Sequence, residues 1–325
     1  MDGQPTDAKD RTLPDSVAKG LVERAPSKLR PYMRLARWDR PVGAWLLAIP
    51  GLCGVALAGI RTGYAWSDPI LLVLIFIGAF AMRGAGCTYN DIVDADLDRR
   101  VTRTADRPVA SGAVSLNDAW FFVALQCVAG LIVLLLLPRM AQLIALASIP
   151  LVAIYPFMKR ITWWPQLFLG ITFNWPLLVG YAAGGGRIDG PAILLYAGLI
   201  LWTLGYDTIY ALQDREDDAL AGVKSSARAL GSRAREGVAL FYGASAALAA
   251  WAGAAAAGPW GAAAALGYAA HLSWQAHRLR PDDSGVCLRL FRANRSAGLL
   301  LFAGLVAAGL AASVLNGRPL IAGFG

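Results

Sequence analysis

Charged side chains are scarce in this sequence. Only 16% of its 325 residues are Asp, Glu, Lys or Arg, whereas 57% are hydrophobic. Soluble domains contain about 25% charged residues. A disordered chain needs the opposite balance, and a soluble globule of this composition would leave much apolar surface in water. The composition therefore indicates an integral membrane protein.

Histidine and cysteine are also rare. The chain contains two histidines and four cysteines, and no Cys-x-x-Cys pair: His271, His277, Cys53, Cys87, Cys127 and Cys287. This low number argues against a disulfide framework and against a Cys/His zinc site. We interpret the cysteines as small buried apolar residues.

The first 40 residues lack an apolar segment. Lys, Arg, Asp, Pro and Ser recur until Val42, so a cleaved signal peptide is not expected here. We expect residues 1–30 to form a mobile cytoplasmic tail. Residues 31–325 are then expected to form a single membrane domain.

Long apolar runs dominate the rest of the chain. A helix needs roughly 20 apolar residues to cross the hydrocarbon layer, and Pro138 and Pro259 mark tight turns between neighbouring runs. The sequence therefore predicts an all-α integral membrane protein with nine transmembrane helices. The nine runs are about 42–60, 68–89, 116–137, 141–157, 163–183, 190–212, 236–257, 259–277 and 296–315.

The positive charges separate cleanly between the two sides of nine alternating spans. All but four of the 30 Lys and Arg residues fall on one side, and the exceptions are Arg61, Arg139, Arg187 and Arg318. The positive-inside rule assigns the rich side to the cytoplasm. The net charge of +8 is thus explained by topology, and no basic face for nucleic acid is indicated.

A first group of carboxylates follows the second apolar run. If the helix continues, Asn90, Asp91, Asp94 and Asp98 have spacings that place them on one face. Three carboxylates on one face repel each other unless a cation lies between them.

A second group follows the sixth run. Asp207, Tyr210, Asp214 and Asp218 again share one face of a continuous helix. Asp207 lies about one turn inside the apolar run, where an ionisable residue is costly and is a candidate for function.

These two groups could bind divalent cations. Mg²⁺ prefers carboxylate oxygens, keeps several waters and takes the rest of its shell from substrate phosphates. Two such groups could hold two Mg²⁺ ions and one diphosphate. Two alternatives are a solvated acidic loop that caps helices and a cation transporter, whose acids should lie near the bilayer midplane.

Both acidic motifs resemble those of the UbiA superfamily of membrane prenyltransferases. The similarity is greater to the branch that prenylates 4-hydroxybenzoate, and it covers roughly residues 32–315. The further stretches that carry it are Arg37–Gly43 (RWDRPVG), Arg83–Cys87 (RGAGC), Arg103–Pro108 (RTADRP), Tyr155–Thr162 (YPFMKRIT) with Pro165-Gln166, and Gly222–Ser225 (GVKS).

The resemblance implies both an architecture and a reaction. The architecture is nine transmembrane helices around a central cavity open to the cytoplasmic side. The reaction is Mg²⁺-dependent transfer of a polyprenyl group from its diphosphate to the ring carbon ortho to the phenol of 4-hydroxybenzoate, a step of ubiquinone biosynthesis. Naphthoate, homogentisate, haem and chlorophyllide remain alternative acceptors, and an ion-coupled transporter is the alternative from another class.

The resemblance also assigns roles to residues. The metal ligands would be Asn90, Asp91, Asp94, Asp98, Asp214 and Asp218, and the catalytic residues would be Asp207, Asp214 and Tyr210. Diphosphate would bind Arg83, Arg103, Arg107 and Lys224, while the acceptor would bind Arg160, Lys159, Tyr155 and Arg40. The implied setting is the inner membrane of a bacterium, with the N-terminus and active site cytoplasmic and the C-terminus on the opposite side.

Overall fold

The computed structural model describes residues 20–62, 69–99, 104–220, 222–315 and 317, and every regular element in these ranges is a helix. The first eight α-helices are α1 (Leu21–Arg24), α2 (Arg30–Leu35), α3 (Val42–Thr62), α4 (Pro69–Val93), α5 (Ala95–Asp98), α6 (Leu116–Leu135), α7 (Arg139–Ala147) and α8 (Ile149–Ile154). The others are α9 (Met158–Ile161), α10 (Pro165–Ala183), α11 (Gly190–Ala211), α12 (Arg215–Leu220), α13 (Ser226–Leu230), α14 (Ala234–Ala263), α15 (Leu266–Arg278) and α16 (Ser284–Leu315). The predicted all-α class is therefore confirmed.

Seven helical segments within the described ranges are long and apolar enough to cross a membrane, so the chain is an integral membrane protein. These segments are Val42–Thr62, Pro69–Val93, Leu116–Leu135, Arg139–Ile161, Gly190–Ala211, Ser226–Ala263 and Ser284–Leu315. Two predicted spans are not among them. The run 163–183 forms α10. The apolar sequence of this helix is interrupted by three buried polar residues, Gln166, Thr172 and Asn174.

The predicted span 259–277 is broken. Its first residues, 259–263, follow a kink near the end of α14, and α15 has only 13 residues, which at 1.5 Å per residue is about 20 Å. The predicted turn at Pro259 is present, because Ala257 leaves helical geometry and Gly258 has φ 59°. Glycine adopts this left-handed conformation at little cost. Pro138, directly before α7, also marks the expected break.

The chain divides into two compact units. The first comprises Met1–Ala44 and Phe80–Leu131, and the second comprises Trp45–Ala79 and Ile132–Gly325. Buried apolar residues in the described part of the first unit form a small core that consists of Leu35, Ala95, Val109, Val114 and Ala119. This core lies beside α5 and thus supports the end of the first acidic motif.

Glycines bring α3 and α10 into close contact in the second unit. A Cβ atom on Gly54 would lie 2.1 Å from the carbonyl oxygen of Leu177, and one on Gly180 would lie 2.2 Å from that of Gly51. Small residues allow such approach between membrane helices. The Gly180–Gly184 pair, which has the spacing of a dimerisation motif, therefore serves packing within the chain.

Buried amide side chains link the helices around α11. Asn294 Oδ1 on α16 accepts from Trp202 Nε1 at 2.8 Å, and its Nδ2 donates to Gln275 Oε1 at 2.9 Å. Asn174 Nδ2 on α10 donates to Thr203 Oγ1 at 2.8 Å. Buried polar groups in a bilayer need such partners. These bonds hold α11, which carries Asp207 and Tyr210, against its neighbours.

Candidate functional site

The first acidic motif lies on two short stretches of helix rather than one. Helix α4 ends at Val93, Asp94 has φ −96° and ψ 2°, and α5 begins at Ala95. The predicted common face required a helix that continues past Val93, and this condition is not met at Asp94. The backbone still keeps helical contacts, since the amide of Asp98 donates to the carbonyl of Asp94 at 2.8 Å.

An arginine brings two of the predicted carboxylates together. Arg107 Nη1 donates to Asp91 Oδ1 at 3.2 Å and to Asp98 Oδ2 at 2.9 Å. Asp91 and Asp94 are fully buried, and Asp98 is 4% exposed, while Asn90 is half-buried. A cation thus lies between the carboxylates, as their mutual repulsion requires.

A second arginine, which the sequence analysis left without a role, contacts the same carboxylate. Arg37 Nη2 donates to Asp91 Oδ1 at 2.6 Å. Burial is the largest single effect on the pKa of Arg37, and it lowers that pKa. The charge of Asp91 and several smaller effects together raise the pKa by more, so the net shift is upward. The guanidinium therefore stays charged. In the sequence, only its position in the Arg37–Gly43 stretch could have indicated a role for Arg37. That stretch does not predict a contact with Asp91, which lies 54 residues away.

Burial also perturbs Asp98. It raises the pKa of this carboxyl group above its ordinary value, and the charges of Asp91 and Asp94 act in the same direction, while Arg107 opposes them. A group that is desolvated and close to like charges is poised to interact with an added cation. The electrostatics of the motif therefore favour a bound cation.

One carboxylate oxygen is available for a metal ion. Among the described residues, the buried Asp91 Oδ2 has no hydrogen-bond partner, and such orphaned acceptors require an explanation. The described residues contain no group of three His, Cys, Asp or Glu side chains that could hold a metal by themselves. The donor set fits Mg²⁺, which completes its shell with water and phosphate oxygens.

The guanidinium of Arg83 rests on a glycine. A Cβ atom on Gly43, in the first turn of α3, would lie 2.8 Å from both Nε and Nη2 of Arg83. Gly43 therefore leaves the space that this guanidinium fills. Arg40 Nε contacts Asp39 Oδ2 at 3.2 Å, and Arg103, the other predicted diphosphate ligand, lies outside the described residues.

The second acidic motif is also interrupted. Asp207 and Tyr210 are half-buried on α11, which ends at Ala211. A 3₁₀ turn, Leu212–Asp214, precedes α12. The prediction that one helix carries all four residues was therefore wrong. The side chains of Asp214 and Asp218 lie outside the described part of the chain.

An aromatic ring from another helix flanks Tyr210. The centroid of Phe291 on α16 lies 4.6 Å from that of Tyr210 and 6.0 Å from that of Tyr206. Sequence reasoning missed Phe291, because no local pattern distinguishes it from other aromatic residues in apolar runs. These three rings form an aromatic group beside Asp207 on α11.

The loop after the second motif is bonded to the segment that includes α9. The amide of Lys224 donates to the carbonyl of Lys159 at 3.2 Å, and its Nζ donates to the carbonyl of Ile161 at 3.1 Å. Tyr155 and Lys159 are half-buried and Arg160 is exposed. Lys224, a predicted diphosphate residue, is therefore bonded to the segment that carries three of the predicted acceptor residues, Tyr155, Lys159 and Arg160.

A buried hydrogen-bond chain anchors this loop to two helices. Gln166 Oε1 on α10 accepts from the amide of Ser226 at 2.9 Å, and Ser226 Oγ lies 2.6 Å from Thr208 Oγ1 on α11. In the sequence, Gln166 belongs to the Pro165-Gln166 motif, which does not predict this contact. The structure explains the residue as the anchor of the 222–226 segment.

The chain has relatives among known proteins. Residues 47–298 match the UbiA prenyltransferase family. The chain is 42% identical to "4-hydroxybenzoate polyprenyltransferase, mitochondrial" of Mus musculus over 93% of this chain and 80% of that protein. It is also 42% identical to the protein of that name from Aedes aegypti, over 90% of this chain and 65% of that protein.

Solved structures with the same fold include two archaeal homologues. A UbiA homologue from Aeropyrum pernix K1 in its apo form has 26% identity and a TM-score of 0.68, and the match covers 81% of this chain and 96% of that one. A homologue from Archaeoglobus fulgidus bound to GPP and Mg²⁺ has 18% identity and a TM-score of 0.64, with coverage of 87% and 99%. This chain belongs to the UbiA prenyltransferase family.

Proposed function

We propose that this protein transfers a polyprenyl group from polyprenyl diphosphate to the ring carbon ortho to the phenol of 4-hydroxybenzoate, in an Mg²⁺-dependent step of ubiquinone biosynthesis. The names of the mouse and mosquito relatives support the acceptor. The observation that carries the proposal is the buried carboxylate of Asp91, which has one oxygen without a partner among the described residues.

We assign the metal ligands to the two acidic motifs. Asn90, Asp91, Asp94 and Asp98 would hold one ion, directly or through water, and Asp214 and Asp218 would hold the second. When bound, Mg²⁺ neutralises the charge that develops on the departing diphosphate. The GPP and Mg²⁺ bound to the Archaeoglobus fulgidus homologue are consistent with this cofactor.

Four cations are assigned to the diphosphate: Arg83, Arg103, Arg107 and Lys224. Guanidinium groups suit this role, because they can bind phosphate oxygens with two parallel hydrogen bonds. Arg83 is held against Gly43 at a defined position. Its role is to orient the diphosphate, so that the C–O bond to the allylic carbon can break.

The acceptor is assigned to the second motif and to the segment around α9. Its carboxylate binds Arg160 and Lys159, with Tyr155 and Arg40 as further contacts. Asp207 would polarise the phenol or ligate the metal, and Tyr210 would line the acceptor site. Asp214 is the third catalytic residue of this motif and is also assigned to the second ion. The ring carbon forms the new C–C bond to the allylic carbon as the C–O bond to the diphosphate breaks. It then loses its proton to the released diphosphate or to water.

The membrane arrangement is part of the proposal. Nine helices surround a central cavity that opens to the side rich in Lys and Arg, and this side carries the active site and the N-terminus. In a bacterial inner membrane that side is the cytoplasm, and the C-terminus lies opposite. The bilayer is a partner of the site, because the polyprenyl chain is itself a lipid.

A direct assay tests the reaction. Membranes that contain the protein should transfer a labelled prenyl group to 4-hydroxybenzoate when Mg²⁺ is present and should stop in excess chelator. Asp91→Ala should abolish transfer. Asp96→Ala is the matched control, since Asp96 lies in the same motif but its side chain is 89% exposed and pairs with Arg99.

The assay can contradict the proposal in two ways. Full activity of Asp91→Ala, or activity in excess chelator, would overturn the metal assignment. Transfer to a naphthoate or homogentisate in preference to 4-hydroxybenzoate, measured with one prenyl diphosphate, would overturn the acceptor.

A further inference from the structure

Arg37 has an unusual backbone conformation for its residue type. It lies between α2 and α3 and is the only non-glycine residue with positive φ, 61°, in the described part of the chain. Its amide donates to the carbonyl of Arg34 at 3.0 Å, and the amide of Trp38 donates to that of Met33 at 2.9 Å. These two bonds form the Schellman C-cap of α2 and place Arg37 at C′, where the left-handed conformation is usual but the residue is most often glycine.

This conformation directs the guanidinium to Asp91. The Nη2–Oδ1 distance is 2.6 Å, and the two side chains are only 10% and 0% exposed. Nη1 donates to the carbonyl of Arg34 at 3.2 Å. A buried carboxylate without a counter-ion is strongly destabilising. Arg37 therefore supplies a positive charge that the metal-free motif needs.

The metal and Arg37 compete for the same negative charge. A divalent cation on Asp91 Oδ2 would lie within a few ångströms of the guanidinium on Oδ1, and like charges at that distance repel in a buried site. Arg107 remains needed by Asp98. Arg107 also contacts Asp91 Oδ1, at the longer distance of 3.2 Å. Among the described residues, however, Asp91 is the one carboxylate that forms an ion pair with Arg37, so the Arg37 pair is the one that a metal can replace.

We propose that Arg37 is a positioning residue that serves as the counter-ion of Asp91 in the metal-free protein and loosens its hold on that carboxylate when a divalent cation binds the first acidic motif. The inference rests on the proposed function, since it takes this motif to be a metal site. The affinity of the motif for metal then depends on Arg37, a residue that is not itself a ligand. It also provides a guanidinium close to the metal when a diphosphate arrives.

Metal binding to the whole protein in detergent, without prenyl diphosphate, tests this inference. Mn²⁺ serves as the probe, and electron paramagnetic resonance measures free and bound ion. The site lost in Asp91→Asn is defined as the first site. Arg37→Gln should bind Mn²⁺ there about tenfold more tightly, because a competing charge has gone. Its thermal midpoint without metal should fall below that of the unaltered protein.

Two variants separate charge from other effects. Arg37→Lys retains the positive charge and should bind Mn²⁺ with nearly unaltered affinity. Arg99→Gln removes the same charge from an exposed ion pair with Asp96, 2.7 Å long and 52% and 89% exposed. It should leave the affinity unaltered, since exposed pairs contribute little. Any change in its metal-free midpoint reports the loss of the bond from Arg99 Nε to the carbonyl of Ala110, 3.2 Å long.

The outcomes distinguish this inference from the proposed function. If the unaltered protein binds no Mn²⁺ at a site sensitive to Asp91→Asn, the metal assignment itself fails. If it binds but Arg37→Gln binds no more tightly, the counter-ion role of Arg37 is refuted. Should Arg37→Gln not fold without metal, the double variant with Asp91→Asn must recover folding, because the negative charge that Arg37 neutralises is then absent. Failure of that rescue also refutes the role.

Discussion

A single methyl group at Gly43 is predicted to weaken diphosphate binding. The Cβ atom of Gly43→Ala would lie 2.8 Å from Nε and Nη2 of Arg83, whereas ordinary contacts begin at 3.4 Å. The guanidinium must therefore move by roughly 0.6 Å, which takes an N–H···O bond of about 2.9 Å to the limit of hydrogen bonding. The loss of one charge-assisted bond, about 1.5 kcal/mol at the lower end of the usual range, corresponds to a rise in KM of about tenfold.

Steady-state kinetics with varied prenyl diphosphate measures this effect. We expect the KM for the diphosphate to rise about tenfold, while the KM for the acceptor stays unaltered. Gly86→Ala is the matched control, because a Cβ atom there meets no atom within 4 Å. In an Arg83→Ala background, Gly43→Ala should have no further effect, since the displaced group is absent.

Two results would refute this reasoning. If Gly43→Ala leaves the KM for the diphosphate unaltered, Arg83 does not act from the position seen against Gly43. If the effect of Gly43→Ala persists in full without Arg83, the added methyl group acts through helix packing instead.

Three further predictions follow from the packing and the loops. Gly180→Ala should lower stability by about 1–3 kcal/mol through overpacking against Gly51, seen as a lower thermal midpoint in detergent; Gly243→Ala, with open space at Cβ, should not. Arg160→Ala should raise the KM for the acceptor with little effect on kcat, and an unaltered KM would exclude it from that site. Gln166→Leu leaves the amide of Ser226 without its acceptor and should cost about 1–3 kcal/mol of stability, whereas a midpoint equal to that of the unaltered protein would show that the anchor is dispensable.

The broad architecture could be predicted because it depends on local composition. Apolar runs of membrane length and the breaks at Pro138 and Pro259 are properties of consecutive residues, and both breaks are present. The limits of the helices were less predictable. Neither the end of α4 at Val93 nor that of α11 at Ala211 is marked by Gly or Pro, so the spacing of the acidic residues could not show that these helices end within the motifs.

The residues of the candidate site were easier to name than their contacts. The two motifs are recognisable by spacing, and both Asp91 and Asp98 are brought to Arg107. Arg37, Gln166 and Phe291 had no such signal. Each acts on a partner that is distant in the sequence, and no local pattern encodes such a pairing.

The sequence by itself determined the membrane class, the sided distribution of positive charge and the chemical types grouped in the two acidic motifs. Hydropathy and charge are properties of individual residues, so the order of residues along the chain is sufficient to predict membrane spans and the distribution of charge between the two sides. Only the tertiary structure decided which cation neutralises each carboxylate, and that Asp91 keeps one oxygen unpartnered among the described residues. These features depend on distances of a few ångströms between side chains far apart in the chain, and packing sets such distances.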